Sequence, residues 1–230
     1  MDQLITPDQA APVGTGLPPH LRPALHDAAH GVGNIRGLAR VARGLLILFV
    51  LGCLLITASG VAIVLQELQF GMASLPLTMM VAVHPLVVGL LLLCAIPVML
   101  WTWRAHANLH DLGLSGLTRT PGWATTSYFV PLANLVVPFR AMRELYNRSS
   151  GEDAWQAELS VGNVTSWWGC LMAAVVIDAL LLALFLLDRL TPTVVLTPPG
   201  ASTGLAVFSL LLLAGSAFYL WKVIGAITRA

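Results

Sequence analysis

Four stretches of the chain, residues 45–65, 80–103, 167–187 and 204–224, run apolar for about twenty residues with hardly a charge inside them. That is the length a helix needs to cross roughly 30 Å of hydrocarbon at about 1.5 Å per residue. The expected fold is therefore an all-α integral membrane protein with four transmembrane helices, paired as two hairpins. A short polar turn (Gln66, Glu67, Gln69, Gly71) would close the first hairpin, and a Pro/Thr-rich turn over residues 188–203 the second. Pro85 is expected in the first turn of the second helix, where proline is tolerated. Pro97 lies well inside that helix and should kink it near Leu93. Small residues four apart, Ala58 with Ala62 and Ala179 with Ala183, would let helices approach closely.

The pattern breaks between the second and third spans. Residues 104–148 form a module that mixes five arginines (Arg104, Arg119, Arg140, Arg143, Arg148) with aromatic and apolar positions. Within it residues 127–139 are apolar but too few to span, and Pro131 and Pro138 interrupt their backbone ladder. This is expected to be an interfacial or shallow re-entrant segment. Pro138 would start a surface helix over residues 138–148. Phe139, Met142, Leu145 and Tyr146 share one face of it, and Arg140 and Glu144 are spaced to pair on another. A polar, acidic stretch over residues 149–166 leads into the third span.

Residues 1–34 hold prolines, glycines, alanines and three histidines (His20, His26, His30), with no apolar core of a cleavable signal. They read as a flexible cytoplasmic tail before a membrane domain of residues 35–230. Arg36, Arg40 and Arg43 then recur at helical spacing, which suits entry from an anionic leaflet.

Composition agrees. The chain is 57% hydrophobic and only 10% charged, with a mean hydropathy of +0.81. A net charge of +1 and the lack of a basic stripe beyond the membrane flanks point away from nucleic acid. Of twelve Lys and Arg residues, Arg189 alone falls in a hairpin turn, so the bias in charge puts both termini and the module in the cytoplasm. Trp101, Trp103, Trp167, Trp168 and Trp221 flank the same ends, as an interfacial belt should. Cys53, Cys94 and Cys170 fall inside apolar segments without framework spacing, so neither a disulfide scaffold nor a structural zinc site is implied.

The run W-R-A-H-A-N-L-x-x-L-G from Trp103, T-P-G-W ending at Trp123, and Y-F-V-P-L-A-N-L-V-V-P-F-R-A-M-R-E-L ending at Leu145 resembles the signature of an uncharacterised bacterial membrane family, domain of unknown function 4328. The general layout is similar over residues 35–224, and the specific motif over residues 103–145. The resemblance implies a four-helix protein of the bacterial inner membrane, with no activity, substrate or catalytic residue to carry over. It marks Arg104, Asn108, Leu109, Pro121, Trp123, Pro131, Asn134, Leu135 and Pro138 as the matching positions.

The candidate chemistry is sparse. His106 and His110 are four apart and would face one way on a helix, as a metal pair does. Histidine-box enzymes need several such pairs, however, and the plainer reading is two interfacial histidines, with no metal or other cofactor. Asp178 would lie about 16 Å deep in the third span, where an ionisable group is costly and a functional hypothesis by default. The plainer reading there is a neutral carboxyl hydrogen-bonded inside the bundle, with Thr57, Ser59 and residues 91–94 at matching depth. Asn108 and Asn134 are expected to pin the shallow segment to the end of the second helix, with Arg104 on the same side. No catalytic triad, phosphate loop or dinucleotide-binding glycine pattern occurs. The expectation is a non-enzymatic membrane component whose partners are the lipid bilayer and a membrane or cytoplasmic protein. The alternatives are an enzyme acting on a lipid or quinone at the cytoplasmic interface, and a small transporter centred on Asp178.

Overall fold

The computed structural model describes residues 22–70, 77–157, 159–191 and 198–229. Residues 1–21 of the expected tail, with His20, lie outside them, as do Gly71, Glu158 and residues 192–197; the side chains of His26, His30 and His84 lie outside as well. Six α-helices are described: α1 (Arg22–Phe70), α2 (Leu77–Asp111), α3 (Pro121–Thr126), α4 (Val137–Ser149), α5 (Gly162–Leu190) and α6 (Ala201–Ile227). Four of them, α1, α2, α5 and α6, contain stretches long and apolar enough to cross a membrane. The protein is therefore an all-helical, multi-pass membrane protein with short helices between its second and third spans.

Every long helix outruns its apolar stretch. α1 carries on through Gln66 and Glu67, the residues expected to turn, because no helix-breaking residue intervenes and Glu67 finds a partner there. Its carboxylate is buried and accepts a hydrogen bond from Thr203 Oγ1 at 3.2 Å. α1 also reaches back to Arg22, into the stretch expected as tail. α2 begins at Leu77, so Pro85 falls in its third turn rather than its first, and the helix continues through Pro97.

Two antiparallel hairpins, α1–α2 and α5–α6, join along a third seam between α1 and α6, as extensive as that between α5 and α6 and more so than that between α1 and α2. The row therefore runs α2, α1, α6, α5, and α2 meets α5 and α6 only briefly. Small residues set the close approaches. A Cβ built on Gly60 of α1 would fall 2.5 Å from Val207 Cγ2 of α6, and one on Gly215 of α6 would stand 3.7 Å from the Cys170 sulfur of α5. The Cys94 thiol of α2 donates to the Leu45 carbonyl of α1 at 3.4 Å.

These contacts fix which ends lie together. The first half of α1, the end of α2, the start of α5 and the end of α6 share one end of the bundle. There the core is thickest, around Phe49, Trp101, Met142, Leu145, Val164, Val223 and Ile224. Elsewhere the spans are thinly covered. Only 11% of the most apolar window of α5 is buried, and Leu48, Leu55, Val176, Leu180 and Leu182 face outward. Such surfaces are stable against hydrocarbon and costly in water, at about 25 cal/mol per Å².

Candidate functional site

The module caps the thick end of the bundle. The turn after α2 leads into α3, which starts at Pro121 with Thr120 as its cap: the Thr120 hydroxyl accepts the Trp123 N–H at 3.2 Å. Two 3₁₀ turns follow, Ser127–Phe129 and Ala133–Leu135, and then α4. The face of α4 expected to rest on the membrane packs into the protein instead. Met142 and Leu145 are buried, and Pro138, Ala141, Glu144 and Asn147 are buried with them.

Glu144 overturns the expected pairing with Arg140. Its carboxylate turns inward and accepts the Thr118 N–H on Oε1 at 2.6 Å and the Thr118 hydroxyl on Oε2 at 2.9 Å. Arg119 Nη1 reaches Oε2 at 3.3 Å and donates to the Thr118 hydroxyl at 2.8 Å. With three donors converging on a carboxylate that is 1% exposed, the pair with Arg119 outcompetes a solvated i, i+4 pair, because a buried charge needs its hydrogen bonds. The result is a latch between the α2–α3 turn and α4.

A second latch holds the turn after α4. Asn147 Nδ2 donates to the carbonyls of Gln156, Ala157 and Leu159 at 3.0–3.1 Å. Arg148 donates to the Glu152 carbonyl at 2.6 Å and to the Ser115 carbonyl at 3.0 Å. Asp153 and Gln156 form a reciprocal capping box around the short turn between them. The third tie is Trp168 of α5, whose indole N–H donates to the Leu135 carbonyl at 3.1 Å.

What these ties hold is an apolar tip. Phe129 is 75% and Leu132 81% exposed, and Val130, Leu135 and Val136 are exposed beside them. Leu132 has φ +66°, a backbone state that costs a branched residue of order 1–3 kcal/mol. Behind the tip, Ser127 is buried and the Tyr128 hydroxyl lies out of water with no hydrogen-bond partner. Burial pushes that phenol well above its usual range.

The residues singled out in the sequence fall into two places. His106 is fully buried, with Arg119 and the Ala141 backbone among its surroundings, and neither ring nitrogen has a hydrogen-bond partner. His110 is exposed, and its Nδ1 sits 2.9 Å from the His106 carbonyl. A carbonyl only accepts, so Nδ1 carries the proton. One imidazole is enclosed and the other open, and among the described residues no three His, Cys, Asp or Glu side chains gather as metal ligands would. Arg104 and Asn108 are half-buried on the same turns of α2, and Arg104 Nε and Asn108 Nδ2 are buried without a hydrogen-bond partner. Asn134 is half-buried, and its backbone N–H bonds the Val130 carbonyl at 2.9 Å. Asp178 stands apart in the bundle, where Ser209 Oγ of α6 donates to its Oδ1 at 2.8 Å. This partner lies on α6 rather than on the first or second helix.

Thr118 and Asn147 are not among the expected site residues, and Glu144 and Glu67 are expected only as a surface pair and a turn residue. A carboxylate on the same helix as a run of apolar positions was the available signal for Glu144; nothing in the spacing marks Asn147.

The whole module and the three helices that bracket it lie within one matched stretch. The chain belongs to the family described as Domain of unknown function (DUF4328), which it matches over residues 66–229. The DUF4328 domain thus takes in α2 through α6 and only the last turn of α1, so both latches and the exposed tip are inside it. No curated protein and no solved structure matches the chain.

Proposed function

We propose that this DUF4328 protein is a non-enzymatic membrane component whose module works as a rigid platform at the cytoplasmic interface, with the tip at residues 129–136 inserted shallowly into the bilayer. The observation that carries the reading is the pairing of a strained, exposed apolar tip with a frame of buried polar ties. Phe129 and Leu132 face outward, while Glu144, Asn147 and Trp168 spend their hydrogen-bonding groups on holding backbone. A polar group committed to a carbonyl or a peptide N–H is not free to act on a substrate. An apolar patch held this firmly in water would be an aggregation hazard, whereas at the headgroup boundary its burial is favourable.

The cytoplasmic placement is supported by the charge bias of the sequence. The lysine and arginines near the shared end of the bundle outnumber Arg189 at the other, and cytoplasmic loops carry that excess.

The test is a photo-crosslinking amino acid placed at Phe129, at Leu132 and, as control, at the exposed Trp155. Irradiation in native membranes should give lipid adducts at the first two positions and not at Trp155. Adducts to one discrete protein at Phe129 would replace lipid by a protein partner as the occupant of the tip, and absence of both adducts would sink the platform reading.

A further inference from the structure

The seam between α1 and α6 carries two hollows stacked along the helix axis. The outer one, about 300 Å³, is lined by Arg36, Ala39, Arg40, Arg43, Thr228 and Arg229. The inner one, about 150 Å³ and wholly apolar, is lined by Leu46, Ile47, Val50, Leu51, Phe218 and Trp221. The two are continuous along one stripe of α1, since Arg36, Arg40, Arg43, Ile47 and Val50 follow at three- and four-residue steps. Phe218, Trp221 and Gly225 of α6, with Thr228 just past its end, make the facing stripe.

Arg43 joins the hollows. Its guanidinium carbon lies 4.1 Å from the centroid of the Trp221 ring. It also rests on Gly225, where a Cβ would meet the guanidinium at 3.2–3.5 Å. Arg43 Nε is buried without a hydrogen-bond partner. No acidic residue lines the outer hollow, and among the described residues none of its four arginines has a carboxylate partner. Like charges at i, i+4 on one helix face repel, so Arg36, Arg40 and Arg43 gain from an anion between them. Planar guanidinium groups suit a phosphate's oxygens. The apolar hollow begins one turn deeper, on helices that cross the membrane, so an occupant there meets hydrocarbon.

We propose that this seam binds one anionic phospholipid, with its phosphate among Arg36, Arg40, Arg43 and Arg229 and an acyl chain along Ile47, Val50 and Phe218. The choline of a zwitterionic lipid would bring a further cation among the arginines, which selects for an anionic headgroup. The inference extends the lipid-interacting reading to a second surface and does not depend on insertion of residues 129–136. Its outcome is therefore separable from crosslinking at Phe129.

The full chain, purified in detergent, is titrated with phosphatidylglycerol, phosphatidylcholine or inorganic phosphate and read by native mass spectrometry and thermal shift. Phosphatidylglycerol should be retained as a single adduct and raise the melting temperature, with phosphatidylcholine bound about tenfold more weakly because its choline adds a cation among the arginines. Arg40→Gln with Arg43→Gln should weaken phosphatidylglycerol by at least about tenfold. Arg36→Gln with Arg40→Gln should weaken it too, and changes only exposed side chains. Ile47→Trp fills the apolar hollow without touching an arginine, and should weaken the lipid but not any binding of free phosphate. Equal retention of the two lipids, or wild-type affinity in both arginine pairs, overturns the proposal. Displacement of phosphatidylglycerol by inorganic phosphate, with Ile47→Trp silent, overturns it in favour of a site for a free anion.

Discussion

Glu144 holds Thr118 by both its backbone and its side chain: Oε1 takes the peptide N–H at 2.6 Å and Oε2 the hydroxyl at 2.9 Å. Twenty-six residues separate them, so this carboxylate, with Arg148 on the Ser115 carbonyl, ties the α2–α3 turn to α4. Removing it leaves the Thr118 N–H and hydroxyl without their acceptor and Arg119 without its carboxylate. Glu144→Ala should cost about 3 kcal/mol, the scale for breaking a buried pair. Glu144→Gln should cost less, because one carbonyl oxygen can still accept from Thr118. Detergent melting curves and limited proteolysis between Gly113 and Gly122 read both effects, and equal melting temperatures for wild type and Glu144→Ala would show that the latch contributes nothing.

Asn147 gives a sharper test, since its amide faces three carbonyl oxygens. An asparagine amide donates from Nδ2, whereas an ionised aspartate only accepts. Asn147→Asp would therefore set a charge against three acceptors. It should destabilise more than Asn147→Ala, which costs about 1–3 kcal/mol as a lost buried hydrogen-bonding group. The reverse order in chemical or thermal unfolding would mean that the turn at residues 154–159 rearranges around position 147.

The helices were legible and the latches were not, for a physical reason. A span is declared by twenty apolar residues in a row, and hydrocarbon enforces that requirement wherever the chain runs. The ends of spans are set by local partners: Glu67 stays helical because Thr203, on another helix, takes up its carboxylate, and no spacing along the chain contains that. The same holds for Glu144. Arg140 is the neighbour that i, i+4 spacing offers, and Thr118 and Arg119 are the neighbours that folding supplies. Prolines and a helix end beside Asn108 and Asn134 make those two the asparagines that spacing offers for pinning. Asn147, whose amide bonds three backbone carbonyls, lies in a polar stretch with no pattern to mark it. Asp178 stood out as a lone charge in an apolar span, and its depth was readable, but its partner Ser209 was not among the helices matched to it.

Asp178 and Ser209 should behave as a coupled pair. Ser209→Ala removes one donor and should cost about 0.5–1.5 kcal/mol, whereas Asp178→Leu also strips the other groups around the carboxyl and should cost about 1–3 kcal/mol. Asp178→Asn keeps a carbonyl acceptor for the Ser209 hydroxyl and should fold nearly as well as wild type. In the double-mutant cycle the two losses should fall short of additive by at least about 0.5 kcal/mol. Strict additivity would mean that the hydrogen bond contributes nothing. Proteoliposome flux that disappears in Asp178→Asn would turn attention from a structural pair to a transport path.

The proposed cytoplasmic placement of the module rests on the charge bias, and reporters check it. Fusions at Ser150, in the turn after α4, should read cytoplasmic, and fusions at Pro199, before α6, external. A reporter at Ser150 that is active only outside would invert the proposed arrangement, including the leaflet proposed for the Arg36, Arg40 and Arg43 site.

The last prediction concerns the α1–α6 seam at Gly60. A Cβ there would lie 2.5 Å from Val207 Cγ2, closer than two carbons tolerate. Val207 is β-branched and has few other rotamers open to it in a helix, so the strain of Gly60→Ala cannot be relieved by a side-chain swing. The helices must part instead, and overpacking of this kind costs about 1–3 kcal/mol. This exceeds the gain of roughly 1 kcal/mol that alanine has over glycine inside a helix. Gly60→Ala should therefore lower the detergent melting temperature even though it raises helix propensity. Val207→Ala opens the space that the new methyl needs, so the double variant should recover most of the loss. Gly37 has nothing within 4 Å of its Cβ position, and Gly37→Ala on the same helix should be neutral or stabilising. If Gly60→Ala stabilised the protein as Gly37→Ala does, α1 and α6 would not be in contact at this level, and the row α2, α1, α6, α5 would lose its central pair.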